Sequence, residues 1–190
     1  MKVEWAKPKN GWFKINFDGA SKGNPSPSGV GFVTQDWEGN IIALGATKLS
    51  EGTNNGVKAQ AAIEAIKMVE AMDLQKNHLE GDSQMIINAI SKGEIHVWKL
   101  NKFVSIAKSI LETFDDYEVC HMVHLGNELV DRLSNWALSF NDEGRSTIKV
   151  FNDLILDTTS SHMSEGINSH SSCTLPFLKC IYEMARWHLD

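Results

Sequence analysis

The chain has 190 residues, 42% of them hydrophobic, and carries a net charge of −6. That length holds one well-buried domain plus an extension, and no apolar run approaches the roughly 18 residues that a membrane-spanning helix needs. The negative sign argues against a surface built mainly of phosphate-binding Lys and Arg, although a nuclease that gathers carboxylates around metal ions is acidic too.

The charge is shared evenly between residues 1–140 and 141–190, so neither part is a charged tail. Met1 to Trp5 has no apolar stretch behind its charges and does not read as a secretory leader. Cys120, Cys173 and Cys180 are scattered, odd in number and without metal-ligand spacing. They suit free thiols in a reducing, intracellular compartment, nucleus or cytoplasm. We expect no membrane partner and a monomer.

Residues 12–18, Trp-Phe-Lys-Ile-Asn-Phe-Asp, alternate apolar and polar and read as a strand. A loop rich in Gly, Ser, Asn and Pro follows from Gly19 to Ser28. Further strands are expected at about 29–36 and 41–48, separated by Glu38-Gly39-Asn40, which makes an antiparallel meander. The cluster Glu51-Gly52-Thr53-Asn54-Asn55-Gly56 opens a helix whose Val57, Ala61, Ala62, Ala65, Met68, Val69 and Met72 recur at three and four residues, burying one face.

A fourth strand at about 78–80 ends at Gly81-Asp82-Ser83, where Asp82 or Ser83 caps a helix over 83–91. Helix periodicity returns over 98–113, a fifth strand is expected at about 117–123, and a last helix at about 127–138. This order implies an α/β fold with a mixed five-stranded sheet, a meander followed by parallel strands joined through helices. The composition changes at Asn141. Residues 158–172 read as a linker, 175–189 are amphipathic enough for a short helix, and 141–190 as a whole form a partly flexible extension without an assigned role. Trp5, Trp12, Trp37, Trp98 and Trp136 read as core or lid residues.

Asp18 falls at the end of the first strand, Asp82 at the end of the fourth and Asp131 near the start of the last helix. Carboxylates at neighbouring strand ends can converge where loops leave room for a ligand. Crowded and ionised, they need a cation, and Mg²⁺ takes such hard oxygen ligands. Taken singly, each also reads as a turn or capping aspartate.

The words around them carry more. Asn16-Phe17-Asp18-Gly19-Ala20-Ser21-Lys22-Gly23-Asn24-Pro25, Thr53-Asn54-Asn55, Glu80-Gly81-Asp82-Ser83 and His121…Asn127…Asp131-Arg132-Leu133-Ser134-Asn135 stand in the order and spacing of type 1 ribonuclease H domains. The chain resembles more closely the plant ribonuclease H-like domains related to the C-terminal part of retroelement reverse transcriptases, over about residues 5–140. The resemblance implies a ribonuclease H-like fold and endonucleolytic cutting of the RNA strand of an RNA–DNA hybrid by two Mg²⁺ ions. By motif, Asp18 would bridge the metals, Asp82 would hold one and Asp131 the other, and His121 on a mobile loop would help product leave. Thr53, Asn54, Asn55 and Asn127 would meet the hybrid, whose 2′-hydroxyls mark RNA. A Gly-Thr-Asn-Asn turn at a helix N-terminus also suits a phosphate on its own account.

One departure bears on the chemistry. The family word Asn-Asn-x-Ala-Glu reads Asn54-Asn55-Gly56-Val57-Lys58 here, so the position of the second catalytic carboxylate is Lys58. A two-residue insertion would put Gln60 there instead, which is no carboxylate either, while Glu64 lies further along the helix. Hydrolysis is therefore expected to be impaired. The alternative is an inactive nucleic-acid-binding or interaction module derived from a retroelement. His124, where plant relatives carry Arg, reads as a surface polar residue.

Overall fold

The computed structural model describes residues 7–94, 97–123, 127–140, 145–151 and 154–157. Strand β1 (Phe13–Ser21) runs through the middle of the sheet. Its alternation sends Ile15 and Phe17 into the main core and leaves Lys14, Asn16 and Asp18 to the opposite face. Strands β2 (Ser26–Gln35) and β3 (Ile41–Gly52) complete the antiparallel meander. Between them the Asp36 carboxylate accepts hydrogen bonds from the Glu38 and Asn40 amides.

Helix α1 (Asn54–Ala71) starts at Thr53, whose hydroxyl accepts from the Gly56 amide at 3.3 Å. The pattern foresaw one buried face. In fact Ala59 and Ile63 are buried as well as Val57, Ala61, Ala62, Ala65, Ile66 and Val69, because β1, β2 and a later helix enclose it. Then come β4 (Lys76–Gly81), α2 (Gln84–Lys92), a 3₁₀ turn (Trp98–Leu100), α3 (Asn101–Leu111), β5 (Asp116–His121) and α4 (Glu128–Ala137). The helix expected over 98–113 is thus divided between the 3₁₀ turn and α3. Ser83 takes the N-cap position of α2 without a side-chain cap bond.

All five expected strands are present and the fold is α/β with a mixed sheet. Strand β4 runs parallel to β1, and β5 parallel to β4. Two strands lie beyond them in the sequence. β6 (Arg145–Phe151) pairs antiparallel with β3, and β7 (Leu154–Asp157) with β6, giving the order β5-β4-β1-β2-β3-β6-β7. The sheet therefore continues past residue 140, where the sequence pattern gave no strand. The linker and helix expected within 158–190, Trp5 and His124 all lie outside the described residues.

The loop expected from Gly19 to Ser28 is also shorter. β1 and β2 stay paired out to Ser21↔Ser28, because a ladder needs backbone groups and tolerates Gly, Ala and Ser where another element covers them. A Cβ on Gly19 would lie 2.7 Å from Val57, so α1 rests directly on β1. Gly29 and Gly31 of β2 serve the other face: a Cβ there would lie 2.2 Å from the Ser134 carbonyl oxygen and 2.7 Å from the Leu133 Cβ. Helix α4 thus lies across β1, β2 and β3 on the side away from α1.

Gly29→Ala should therefore destabilise the domain by about 2–3 kcal/mol, since α4 backbone rather than a flexible side chain must move. Gly23→Ala, whose Cβ meets the Ser26 side chain at 3.2 Å, should cost much less. Urea midpoints at equal m-value compare the two.

Candidate active site

Register assembles the site. Phe17 pairs with Gly81, and Gly81 with His121, so the parallel ladder closes in one row where β4 and β5 end; β1 runs on to Ser21, paired with β2, so Asp18 lies within its strand and not at the strand end that was expected. Asp18 and Asp82 are the next residues along two neighbouring strands. The close contact of Gly19 with Val57 then sets the next residue of α1, Lys58, against the same edge.

The Lys58 ammonium lies between the two aspartates, 2.5 Å from Asp18 Oδ1 and 2.6 Å from Asp82 Oδ1. Asp18 is buried, at 3% exposure, and its Oδ1 also accepts from the Gly19 amide at 2.8 Å. Burial pushes the Asp18 carboxyl up from the usual carboxylate range, with Lys58 pulling against it. Burial works to lower the Lys58 ammonium, but Asp18 and Asp82 outweigh it and its net shift is upward. The two directions pull apart for one ion pair. The geometry favours the charged pair at neutral pH, because an ammonium donating at these distances holds both carboxylates ionised.

The same contacts decide the alignment. Lys58, not Gln60, reaches the aspartates, and Gln60 donates to Glu64 at 3.0 Å one turn away. Neither Gln60 nor Glu64 stands in for the missing carboxylate.

The other expected residues take varied places. The Asp131 carboxylate accepts from Asn135 Nδ2 at 3.1 Å on its own helix. His121 is the last residue of β5, within the strand expected there and not on the loop that the resemblance implied, because the ladder runs out to Gly81↔His121 and the Met122 amide adds a bond to the Gly81 carbonyl. Its ring is exposed, and Nε2 donates to the Asp82 carbonyl oxygen at 3.1 Å.

Asn127 is a correction. It is 1% exposed and donates to the Phe17 carbonyl at 3.0 Å, so it ties the start of α4 to β1 and has no face for a ligand. Thr53, Asn54 and Asn55 are exposed at the start of α1. Thr53 and Asn55 line a groove of about 660 Å³ together with Asn24, Glu51, Gln60 and Lys99. Trp98, next in sequence to Lys99, is 76% exposed and so is not a core residue.

Sequence reasoning missed a buried polar layer on β1 and β4. Lys14 and Glu80 pair at 2.9 Å, and Asn16 donates to Glu80 at 3.1 Å. The available signal was the polar half of the β1 alternation, which on a central strand points into covered space.

A pair of divalent ions does not fit this arrangement. The place shared by Asp18 and Asp82 is filled by a covalent cation. Among the described residues, moreover, no three His, Cys, Asp or Glu side chains form a group that could hold a metal ion.

Such a sheet, with helices on both faces and an aspartate just past the end of the parallel ladder on each of two neighbouring strands, is that of a ribonuclease H-like domain. The chain belongs to the reverse transcriptase-like family, whose sequence profile matches residues 16–137. It is 33% identical over 123 residues to ribonuclease HI of Halobacterium salinarum, covering 64% of this chain and 62% of that protein. An Arabidopsis thaliana protein provisionally named a ribonuclease H is 27% identical over 165 residues, covering 86% of this chain and 26% of that protein. The chain thus spans less than two thirds of either relative.

Among solved structures, RNase H1 of the archaeon Halobacterium salinarum superposes with a TM-score of 0.65 at 32% identity, over 67% of this chain and 97% of that one. LC11-RNase H1 in complex with RNA/DNA hybrid gives 0.62 at 25% identity, over 66% and 96%.

Lys58→Met should cost about 3 kcal/mol at pH 7, because two carboxylates at a partly buried edge lose their counter-charge. The sign of the pH dependence follows from burial raising the Asp18 pKa. The loss should be absent at acid pH, where Asp18 is protonated in both states, and appear as pH rises through the raised value. Asp18→Asn in the same chain should recover most of it, as a double-mutant cycle by urea unfolding would read.

Proposed function

We propose that residues 5–140 form a nucleic-acid-binding domain that recognises RNA–DNA hybrid, and that Mg²⁺-dependent hydrolysis of the RNA strand is impaired. The observation that carries this reading is the Lys58 ammonium, 2.5 Å from Asp18 and 2.6 Å from Asp82. A two-metal route needs that place for an ion that clamps the attacking and leaving oxygens. Lysine supplies charge there, but no open coordination position.

Support for the hybrid as ligand comes from likeness to LC11-RNase H1, which was solved with RNA/DNA hybrid. It comes also from the exposed Thr53-Asn54-Asn55 turn at the start of α1, of which Thr53 and Asn55 line a groove that Lys99 also lines. In this reading Asp18, Asp82, Asp131 and His121 keep the family's positions, and Asn127 acts by fixing α4 on β1. The second reading, a retroelement-derived module that binds without cutting, is favoured by the same lysine. We also place the protein inside the cell, in keeping with an exposed free Cys120.

Cleavage of a labelled hybrid with Mg²⁺ should be very weak for the wild type, stronger for Lys58→Glu, and absent in Asp18→Asn. An ammonium in place of a carboxylate costs metal or transition-state binding about 3 kcal/mol, on the order of a hundredfold in rate. Robust wild-type cleavage that Asp18→Asn abolishes would overturn the impaired-site reading.

A further inference from the structure

We propose that Lys58 is a resident counter-ion that takes a divalent cation's place between Asp18 and Asp82, so that the domain docks on RNA–DNA hybrid without any divalent metal. The docking half of this rests on the reading of the domain as hybrid-binding; the counter-ion half does not.

A polyanion cannot approach a pair of bare carboxylates closely. An acidic site therefore needs a cation before phosphates can come near. Here the cation is built in. Lys58 reaches both aspartates within hydrogen-bond distance, and its stem leaves a helix that is pinned to β1 by the Val57–Gly19 contact. Asp18, Asp82 and Lys58 together carry a charge of −1 in place of −2. No chelator can remove the ammonium.

An ammonium has three donors. Two are used on the aspartates, and the side chain keeps 23% of its surface exposed. One N–H thus remains for an incoming phosphate oxygen at the edge where the strands end. The residues that would restore a metal ligand on α1 are turned to one another, Gln60 donating to Glu64, and among the described residues no alternative metal-holding group exists.

Two measurements on the full chain test this, both at ionic strength held constant with KCl. In the first, thermal unfolding is followed with EDTA and with rising Mg²⁺, without nucleic acid. The wild-type Tm should not move between EDTA and 10 mM Mg²⁺ by more than ~1 °C, which is within the shift a few tenths of a kcal/mol would produce. Lys58→Glu should gain a saturable rise. In the second, anisotropy of a labelled RNA–DNA hybrid is read with EDTA and with Mg²⁺. The wild-type Kd should agree within about twofold, less than 1 kcal/mol, and Lys58→Met should weaken at least tenfold in EDTA with part of the loss restored by Mg²⁺.

A saturable wild-type Tm rise with Mg²⁺ that Asp18→Asn removes would overturn the counter-ion. Hybrid binding only with Mg²⁺ would overturn metal-free docking while leaving the hybrid reading intact. No hybrid binding in either buffer, with a Tm indifferent to Mg²⁺, would overturn the hybrid reading and with it the docking half, and would uphold the counter-ion. Both wild-type measurements decide even if a Lys58 variant fails to fold.

Discussion

An ammonium lies between two carboxylates that the backbone itself pins in place. Asp18 and Asp82 cannot move apart, because Phe17 and Gly81 are paired in a parallel ladder that fixes their distance. At about 4 Å and an effective dielectric near 20, each unit-charge interaction is worth roughly 4 kcal/mol. Two attractions to Lys58 then stand against one repulsion between the aspartates. Desolvation of Asp18 takes back part of the gain, as the upward push on its carboxyl indicates. What remains is less a large stabilisation than a constraint: with the lysine absent, that edge of the sheet is under electrostatic strain.

Close packing delivers the lysine to that position. Gly19 lets α1 sit directly on β1, and the residue after the contacting Val57 is Lys58. On the other face Gly29 and Gly31 admit α4, and Asn127 locks its first turn to the Phe17 carbonyl, the residue before Asp18. Each tie ends next to the site. The chain uses residues with little or no side chain where two elements must touch, and a buried amide where their relative height must be set. That explains why a sheet face of Gly, Ala and Ser, poor in apolar bulk, is nonetheless well packed.

Much of this was legible in the residues. Period-two alternation found β1, the Glu38-Gly39-Asn40 turn found β2 and β3, and three-and-four spacing found α1, α3 and α4. The motif words found Asp18, Asp82 and the lysine in the glutamate's place. What escaped has physical reasons. Alternation loses contrast where the side chains are Gly, Ala and Ser, so β1 and β2 looked shorter than their ladder is. Asn127 was a ligand contact only by what the resemblance implied, and the packing of α4 on β1 buries it. For His121 the residue pattern was the better guide: the strand expected at about 117–123 contains it, whereas the family resemblance implied a loop. The buried Lys14 and Asn16 were not singled out, since alternation marks which positions are polar but not whether their face is covered. Strands β6 and β7 lie past the change of composition at Asn141, and their place in the sheet depends on the edge of β3, which β6 covers and to which β7 is joined through β6.

A tethered ammonium and a divalent ion answer the same electrostatic demand but offer different chemistry. Both neutralise carboxylates and both attract phosphate. A metal ion also accepts electron pairs, brings its own water and lowers that water's pKa, whereas an ammonium only donates hydrogen bonds from a fixed stem. A single position on α1 can therefore separate holding a nucleic acid from cutting it. The proposed contact surface at Thr53 to Asn55 and Lys99 lies on the helix start and the 3₁₀ turn, apart from the aspartates, and does not depend on which cation stands between them. Charge compensation survives the loss of the glutamate because the register of three parallel strands, not the metal, sets where the carboxylates are.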